Sequence, residues 1–124
     1  MSIKAVREAL ATALDGAINN ASVYSYPPPM VPTPAVIVVP DEPYLEPITI
    51  GSTLRLRVRF LVTCAVAGLD NPAALDQLEE LCLDVLGALP AGAVPDSFSR
   101  PRMQQIGPTD LLTSDMTVEI VTNE

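Results

Sequence analysis

The sequence predicts an α+β domain in which two helices cover one face of an antiparallel sheet of four to five strands. Two segments repeat apolar residues every three or four positions, the spacing of a helix with one buried side. The remaining apolar residues alternate with polar ones in short runs joined by brief turn-rich connections, which favours antiparallel strands. The 124 residues suffice for one domain, 1–124, and leave no room for a second.

The first helix is predicted to begin after Ser2, which can cap its first turn, and to end near Gly16. Its apolar stripe is Ile3, Val6, Leu10, Leu14 and Ile18. The segment "SVYSY", residues 22–26, alternates and predicts a short strand.

A proline-rich segment follows, because eight of the 13 prolines lie between Pro27 and Pro47. Proline fixes φ and lacks an N–H donor, so this part of the chain is expected to be extended and turn-rich. Within it, the β-branched run 35–39, "AVIVV", predicts a buried strand. The acidic stretch 40–47, "PDEPYLEP", is predicted to be a loop.

Residues 54–64 give the clearest strand, because apolar and other residues alternate along it. One face is formed by Leu54, Leu56, Val58, Phe60, Val62 and Cys64. The opposite face carries Arg55, Arg57 and Arg59, about 7 Å apart along the strand. The leucine face is therefore expected to pack against the helices, and the arginines to point away from them.

The second helix is predicted over 72–89, with Asn71 as its cap and Pro72 at its first position. Its predicted buried stripe is Leu75, Leu78, Cys82, Val85, Leu86 and Leu89. Beyond Pro90, the sequence predicts a loop over "PAGAVPDS", a weak edge strand in "FSRPRMQQI", a long connection over "GPTDLLTSD" and a closing strand in "MTVEIVT".

Composition and charge exclude some classes of function. The net charge is −8, from 15 acidic and 7 basic residues, which argues against a general nucleic-acid binder. The chain has no apolar run long enough to span a bilayer, and Lys4, Arg7 and Glu8 do not suit a signal peptide, so we expect a soluble, unexported protein. Charged residues make up 18%, against about 25% in an average domain. Either another subunit covers part of the surface, or the chain is a small compact monomer.

No catalytic, cofactor or metal site is predicted. Histidine is absent, which removes the commonest general base and transition-metal ligand. Asp41, Glu42 and Glu46 could gather a hard cation, but they lack the ligand spacing and glycine of known calcium loops. Cys64 and Cys82 form neither a disulfide framework nor a zinc spacing and are expected to be buried free thiols. We therefore expect a protein that is not an enzyme.

The arginine row allows two explanations. It can be a solvated outer face whose arginines pair across strands with acids such as Glu119, or a contact with another copy of the chain. The acidic candidates for the second explanation are Asp76, Glu79, Glu80 and Asp84 on the second helix, and Asp41, Glu42 and Glu46 in the acidic stretch. A head-to-tail contact of this kind generates rings.

Several features together resemble the tail terminator proteins of long-tailed bacteriophages. These features are the helix segment "VREALATAL", a short strand with Tyr24 and Tyr26, a proline-broken stretch, the strand Pro34–Val39, and Tyr44. The resemblance implies an α+β protomer that forms a ring, typically a hexamer, on the last ring of major tail tube subunits. It also implies a head-completion or connector protein as the second partner, non-specific passage of genomic DNA through the ring, and a place at the head-proximal end of the virion tail after assembly in the host cytoplasm.

The chain departs from many tail terminators in its long "GPTDLLTSD" segment and its dense prolines. A head–tail connector or neck subunit is the alternative within virion proteins. A small-molecule enzyme or binding module that uses the acidic stretch is the alternative from a different functional class.

Overall fold

A computed structural model describes residues 3–18, 21–26, 33–50, 53–68, 72–106 and 109–123. Within these ranges the chain forms two helices and six strands. In chain order they are α1 (Ile3–Ala17), β1 (Ser22–Tyr24), β2 (Ala35–Ile50), β3 (Thr53–Ala67), α2 (Pro72–Ala88), β4 (Ala93–Phe98), β5 (Arg102–Ile106) and β6 (Thr109–Asn123). The predicted α+β class is confirmed. Asn71, the predicted cap of the second helix, lies outside the described residues.

The strands form one mixed sheet rather than an antiparallel sheet of four to five strands. Its order is β1-β2-β3-β6-β4, and β5 also pairs with β6. β1 runs parallel to β2, with Val23 opposite Val36, and the other pairs are antiparallel. β4 lies along the C-terminal half of β6 and β5 along its N-terminal half. Alternation along one strand does not specify the direction of its neighbour, so it could not predict the parallel pair.

The acidic stretch is part of β2, so the predicted loop over 40–47 is wrong. β2 pairs with β3 along its length, but the register jumps from Pro40 opposite Phe60 to Leu45 opposite Val58. The extra residues of β2 form an irregularity between these positions. Bulges of this kind accommodate prolines, which cannot donate to a strand ladder.

The strands after α2 are more extensive than predicted. The "PAGAVPDS" loop is largely β4, and the "GPTDLLTSD" connection is largely the first part of β6. Thr113 and Ser114 are buried in this part of β6. The Thr113 hydroxyl donates to Gln104 Oε1 at 3.1 Å, and the Ser114 hydroxyl donates to the Ser99 carbonyl at 2.7 Å. Hydrogen bonds to neighbouring segments therefore allow polar residues to occupy a central strand.

The core lies between the two helices and one face of the sheet, here called the inner face. Its fully buried members include Leu10 and Leu14 of α1, Val58, Phe60 and Val62 of β3, Leu78 and Val85 of α2, and Met116 and Val118 of β6. The predicted burial of alternate β3 residues is confirmed from Val58 to Cys64, whereas the side chain of Leu54 lies outside the described residues. Within the described ranges, no helix is long and apolar enough to cross a membrane.

The buried stripe of α2 differs from the predicted one. Its buried residues are Ala74, Leu78, Leu81 and Val85. Leu75 and Leu86 are 42% and 40% exposed, and Cys82 is half-buried. The buried side of the helix is rotated relative to the predicted stripe, because Ala74 and Leu81 are buried in place of Leu75 and Leu86. Two leucines that were predicted to lie in the core are therefore on the surface.

Candidate functional site

The arginine row lies on the face of the sheet opposite the helices, here called the outer face, as predicted. Arg57 and Arg59 are only 32% and 19% exposed, because neighbouring strands supply partners on both sides. Register places Glu46 of β2 and Glu119 of β6 directly beside them. The first explanation of the row, cross-strand pairing with acids such as Glu119, holds for these two arginines.

The four side chains form a charge-balanced cluster, here called the arginine cluster. Arg57 Nη1 donates a short hydrogen bond to Glu46 Oε1, and Arg59 Nη1 lies 3.4 Å from Glu46 Oε2. On the other side, Arg57 Nε is 2.7 Å from Glu119 Oε1, and Arg59 Nε is 3.4 Å from Glu119 Oε2. The Nε–H of Arg57 is not aligned for a hydrogen bond to Glu119 despite the short distance, so the contact between Arg57 and Glu119 is an ion pair only. Two carboxylates therefore separate and neutralise two like charges.

Arg55 differs from the other two arginines. It is exposed and forms no ion pair within the ranges that the structure describes. Register places Ile48 of β2 beside it, and Val121 of β6 lies opposite Arg57 on the same face. Val121 is 47% exposed. This end of the outer face therefore combines a cation that is unpaired within the described ranges with the exposed Val121 and the partly buried Ile48.

The acidic candidates fall into two groups. Asp41 accepts hydrogen bonds from the Thr117 hydroxyl and, at 2.8 Å, from the Glu42 backbone N–H, and Glu46 belongs to the arginine cluster. Glu42 is exposed. Asp76 and Glu80 are also exposed, on the solvent side of α2, and form no ion pair within the described ranges. The acids of β2 are thus largely engaged within the chain, whereas those of α2 are available.

A second polar network on the outer face was not predicted. Asp115 accepts a hydrogen bond from the Thr63 hydroxyl at 2.7 Å and pairs with Arg102 Nη2 at 2.9 Å. Its backbone N–H donates to the Ser99 hydroxyl oxygen at 2.9 Å. Asp115 lay in a predicted connection, so no sequence pattern placed it opposite β3. The network ties β3, β5 and β6 together.

The Glu119→Gln variant is expected to lower the free energy of unfolding by about 1–2 kcal/mol at low salt. Loss of this carboxylate leaves two guanidinium groups with Glu46 alone. Because the cluster is partly solvated, 1 M NaCl is expected to reduce the loss. Urea unfolding at both salt concentrations measures the effect.

Glu42→Gln is the matched control, since Glu42 lies on the same sheet and forms no side-chain ion pair within the described ranges. Its expected effect is within about 0.5 kcal/mol. Equal losses for the two variants would contradict a role of the arginine cluster in stability.

An apolar groove of about 480 Å³ lies between α2 and the segment that follows β4. Its lining includes Leu75, Leu78, Cys82, Leu83 and Leu86 of α2, together with Phe98, Ser99, Pro101 and Ser114. Leu83 is 67% exposed at its rim. The buried stripe of α2 runs through Ala74, Leu78, Leu81 and Val85, which leaves Leu75 and Leu86 exposed in the groove with Phe98. An open groove with leucine walls suits contact with another apolar surface.

The two thiols interact across the contact between α2 and β3. Cys64 is buried and Cys82 lies half-buried in the wall of the groove, so the prediction of two buried free thiols is confirmed for Cys64 only. Hydrogen bonding to Cys82 and burial raise the pKa of the Cys64 thiol far above its usual value. Hydrogen bonds from Cys64 and Ser114 lower the pKa of Cys82, against an opposing effect of burial. Cys82 is therefore the first of the two to ionise.

The described residues contain no group of three or more Asp, Glu or Cys side chains placed to hold a metal ion. A second open cleft, of about 380 Å³, lies between α1 and β1 and is lined by residues that include Glu8, Asp15 and Tyr24. Its two carboxylates belong to the exposed face of α1.

Neither a family model nor a curated protein matches this chain.

Proposed function

We propose that this chain is a structural virion protein that caps the tail tube of a long-tailed bacteriophage as a ring, ends tail polymerisation and forms the surface that joins tail to head. The phage assignment rests on the sequence resemblance around Tyr24, Pro34–Val39 and Tyr44. The role of an assembly protein is supported by surfaces suited to protein contacts.

The observation that carries the proposal is the exposed apolar surface of α2. Leu75, Leu83 and Leu86 are all at least 40% exposed and border one groove, on a helix that also exposes a row of acids. Contiguous exposed apolar side chains on a small domain mark sites of protein contact. A ring subunit needs such surfaces toward its neighbours and its axial partners, and it works by shape and closure rather than by covalent chemistry.

The arginine cluster supports the same role in a different way. The cluster joins β2, β3 and β6 through four ion pairs on the face that no helix covers, which favours a fixed shape for this face. These ion pairs also neutralise two of the three positive charges of the arginine row. The outer face is thus suited to contact with protein rather than to tight binding of DNA phosphates, in keeping with non-specific passage of DNA through a ring.

Negative-stain electron microscopy of phage particles assembled without this protein tests the proposal. The expected result is overlong tails that lack heads, because no ring stops the tube and no surface joins it to the head. Expression of the intact chain in trans is the control and should restore full particles.

Two other outcomes would count against the proposal. Tails of normal length without heads would assign the protein to the neck, as a head–tail connector. Tails of normal length attached to heads would refute both virion roles and favour the enzyme or binding-module class.

A further inference from the structure

We infer that the exposed surface of α2 binds the Arg55 end of the outer face of a second copy of this chain, in a head-to-tail contact. This inference rests on the proposed ring and names the two surfaces that close it. The first is called the α2 surface and consists of Leu75, Leu83, Leu86, Asp76, Glu80 and Asp84. The second is called the sheet surface and consists of Arg55, Ile48, Val94 and Val121.

The α2 surface combines apolar contact area with negative charge. Asp76, Glu80 and Asp84 are four residues apart and therefore lie along one side of the helix. All three are exposed, and none forms an ion pair within the described residues. Helical spacing places Leu83 between this acidic row and the groove. A partner that fits this surface must bring apolar side chains and a cation.

The sheet surface supplies both. Val94 of β4 pairs with Glu119 of β6, so it shares the outer face with Val121 two residues further along. Val94 and Val121 are 62% and 47% exposed. Arg55 lies on the same face, two residues along β3 from Arg57, the residue opposite Val121, and it has no carboxylate partner within the described ranges. The result is an apolar patch bordered by an unpaired cation.

The existing ion pairs indicate that Arg55, rather than the whole arginine row, contacts the second copy. Arg57 and Arg59 already share two carboxylates, so their use in a contact between copies would require breaking four ion pairs. Arg55 requires none. Copies of a chain of net charge −8 repel one another overall, and a contact between opposite charges offsets this repulsion. Placing Arg55 against Glu80 and Asp84 provides such a contact.

The positions of the two surfaces determine the symmetry. The α2 surface is the side of α2 that points away from the inner face of the sheet. The sheet surface lies on the opposite, outer face. One copy therefore cannot present both surfaces to the same partner through a twofold axis. The contact is heterologous, and repetition of it produces a ring if the rotation closes.

Sedimentation velocity and native mass spectrometry of the full chain test the contact. Arg55→Glu and Asp84→Lys are each expected to raise the concentration at which half of the chains are assembled by about tenfold or more, because each places like charges together. The double variant Arg55→Glu/Asp84→Lys restores opposite charges and is expected to recover most of the assembly. Failure of this double variant to recover any assembly would overturn the inference.

Two matched controls separate the contact from general effects. Lys4→Glu makes the same change of charge as Arg55→Glu, on α1 and outside both surfaces. Leu45→Gln removes an exposed leucine of β2 as Leu83→Gln does on α2. The expected result is that Arg55→Glu and Leu83→Gln reduce assembly while their controls leave it unchanged. Equal effects within either pair would overturn the contact.

Failure of the contact can be distinguished from failure of the proposed function. Wild-type assembly that is insensitive to Arg55→Glu and Asp84→Lys overturns the contact alone. A chain that stays monomeric at about 1 mM overturns the contact and also counts against the proposed ring. Normal tails in the absence of the protein refute the tail function, and a charge-swap rescue on the purified chain would then still support the contact.

Discussion

Phe60→Ala is expected to lower the free energy of unfolding by about 3–5 kcal/mol, the largest effect of any single substitution considered for this protein. Phe60 is fully buried on the inner face of β3. Its ring meets Tyr44 edge to face, with centroids 5.9 Å apart and an interplanar angle of 73°. Alanine removes the ring and leaves a cavity between the sheet and the helices. Domains of this size have a total stability of about 5–15 kcal/mol, so the variant is expected to be close to unfolding.

Phe98→Ala provides the matched control, since Phe60 and Phe98 are the two phenylalanines of the chain. Phe98 is half-buried at the wall of the groove, and its loss is expected to cost about 1–2 kcal/mol, because less apolar surface leaves water on folding. Urea unfolding at low protein concentration separates the two effects from any contribution of assembly. Equal shifts of the unfolding midpoint would contradict the placement of Phe60 at the centre of the core.

The part of the fold that could be predicted is the part where side-chain period and burial agree. The alternation around Phe60 identified β3 and assigned its two faces, because one face of a strand repeats every second residue. The stripe of α1, with Val6, Leu10 and Leu14 buried, follows the same logic at helical period. In both elements, most apolar residues of the pattern are buried, whereas Ile3 and Leu56 are only partly buried.

Prediction failed where tertiary contacts override the local pattern. The first part of β6 contains buried Thr113 and Ser114, whose hydroxyls are satisfied by Gln104 and Ser99 from other segments. Such partners cannot be identified from the local sequence.

The prediction of the buried stripe of α2 failed for another reason. The apolar residues of this helix are so numerous that more than one stripe fits helical spacing, and the buried stripe includes the small Ala74 rather than Leu75.

The candidate site, like the fold, was predicted only in part. The pairing of Glu119 with Arg57 and Arg59 was one of two explanations, and alternation on both strands was sufficient to suggest it. The role of Glu46 was missed because β2 continues through a proline-rich irregularity that resembles a loop. The availability of Arg55 is a consequence of this register. Arg55 precedes the two arginines that Glu46 reaches and lies opposite Ile48, nearer the end of the β2–β3 pair.

Gly68→Ala is expected to lower the free energy of unfolding by about 2–3 kcal/mol, at the upper end of the range for overpacking. Gly68 lies just after β3, and its backbone N–H donates to the Asp110 carbonyl at 3.2 Å. A Cβ at this position would be 2.4 Å from that carbonyl oxygen and 2.6 Å from Met103 Cε. The methionine can move, but the carbonyl belongs to β6 and cannot shift without disturbing the pairing of β3 with β6.

Thermal and urea unfolding of three further variants makes this explanation testable. In the variant Gly87→Ala in α2, the added Cβ meets no described atom within 4 Å beyond the adjacent residues and the nearby helix backbone. The variant is expected to stabilise the protein by about 0.5–1 kcal/mol, because alanine favours the helix. Met103→Ala alone gives the baseline for the double variant Gly68→Ala/Met103→Ala. Relative to that baseline, the glycine substitution should still destabilise the protein, since the backbone contact remains. A fully neutral effect of Gly68→Ala in the Met103→Ala background would show that the methionine, and not the close approach of β6, makes glycine necessary.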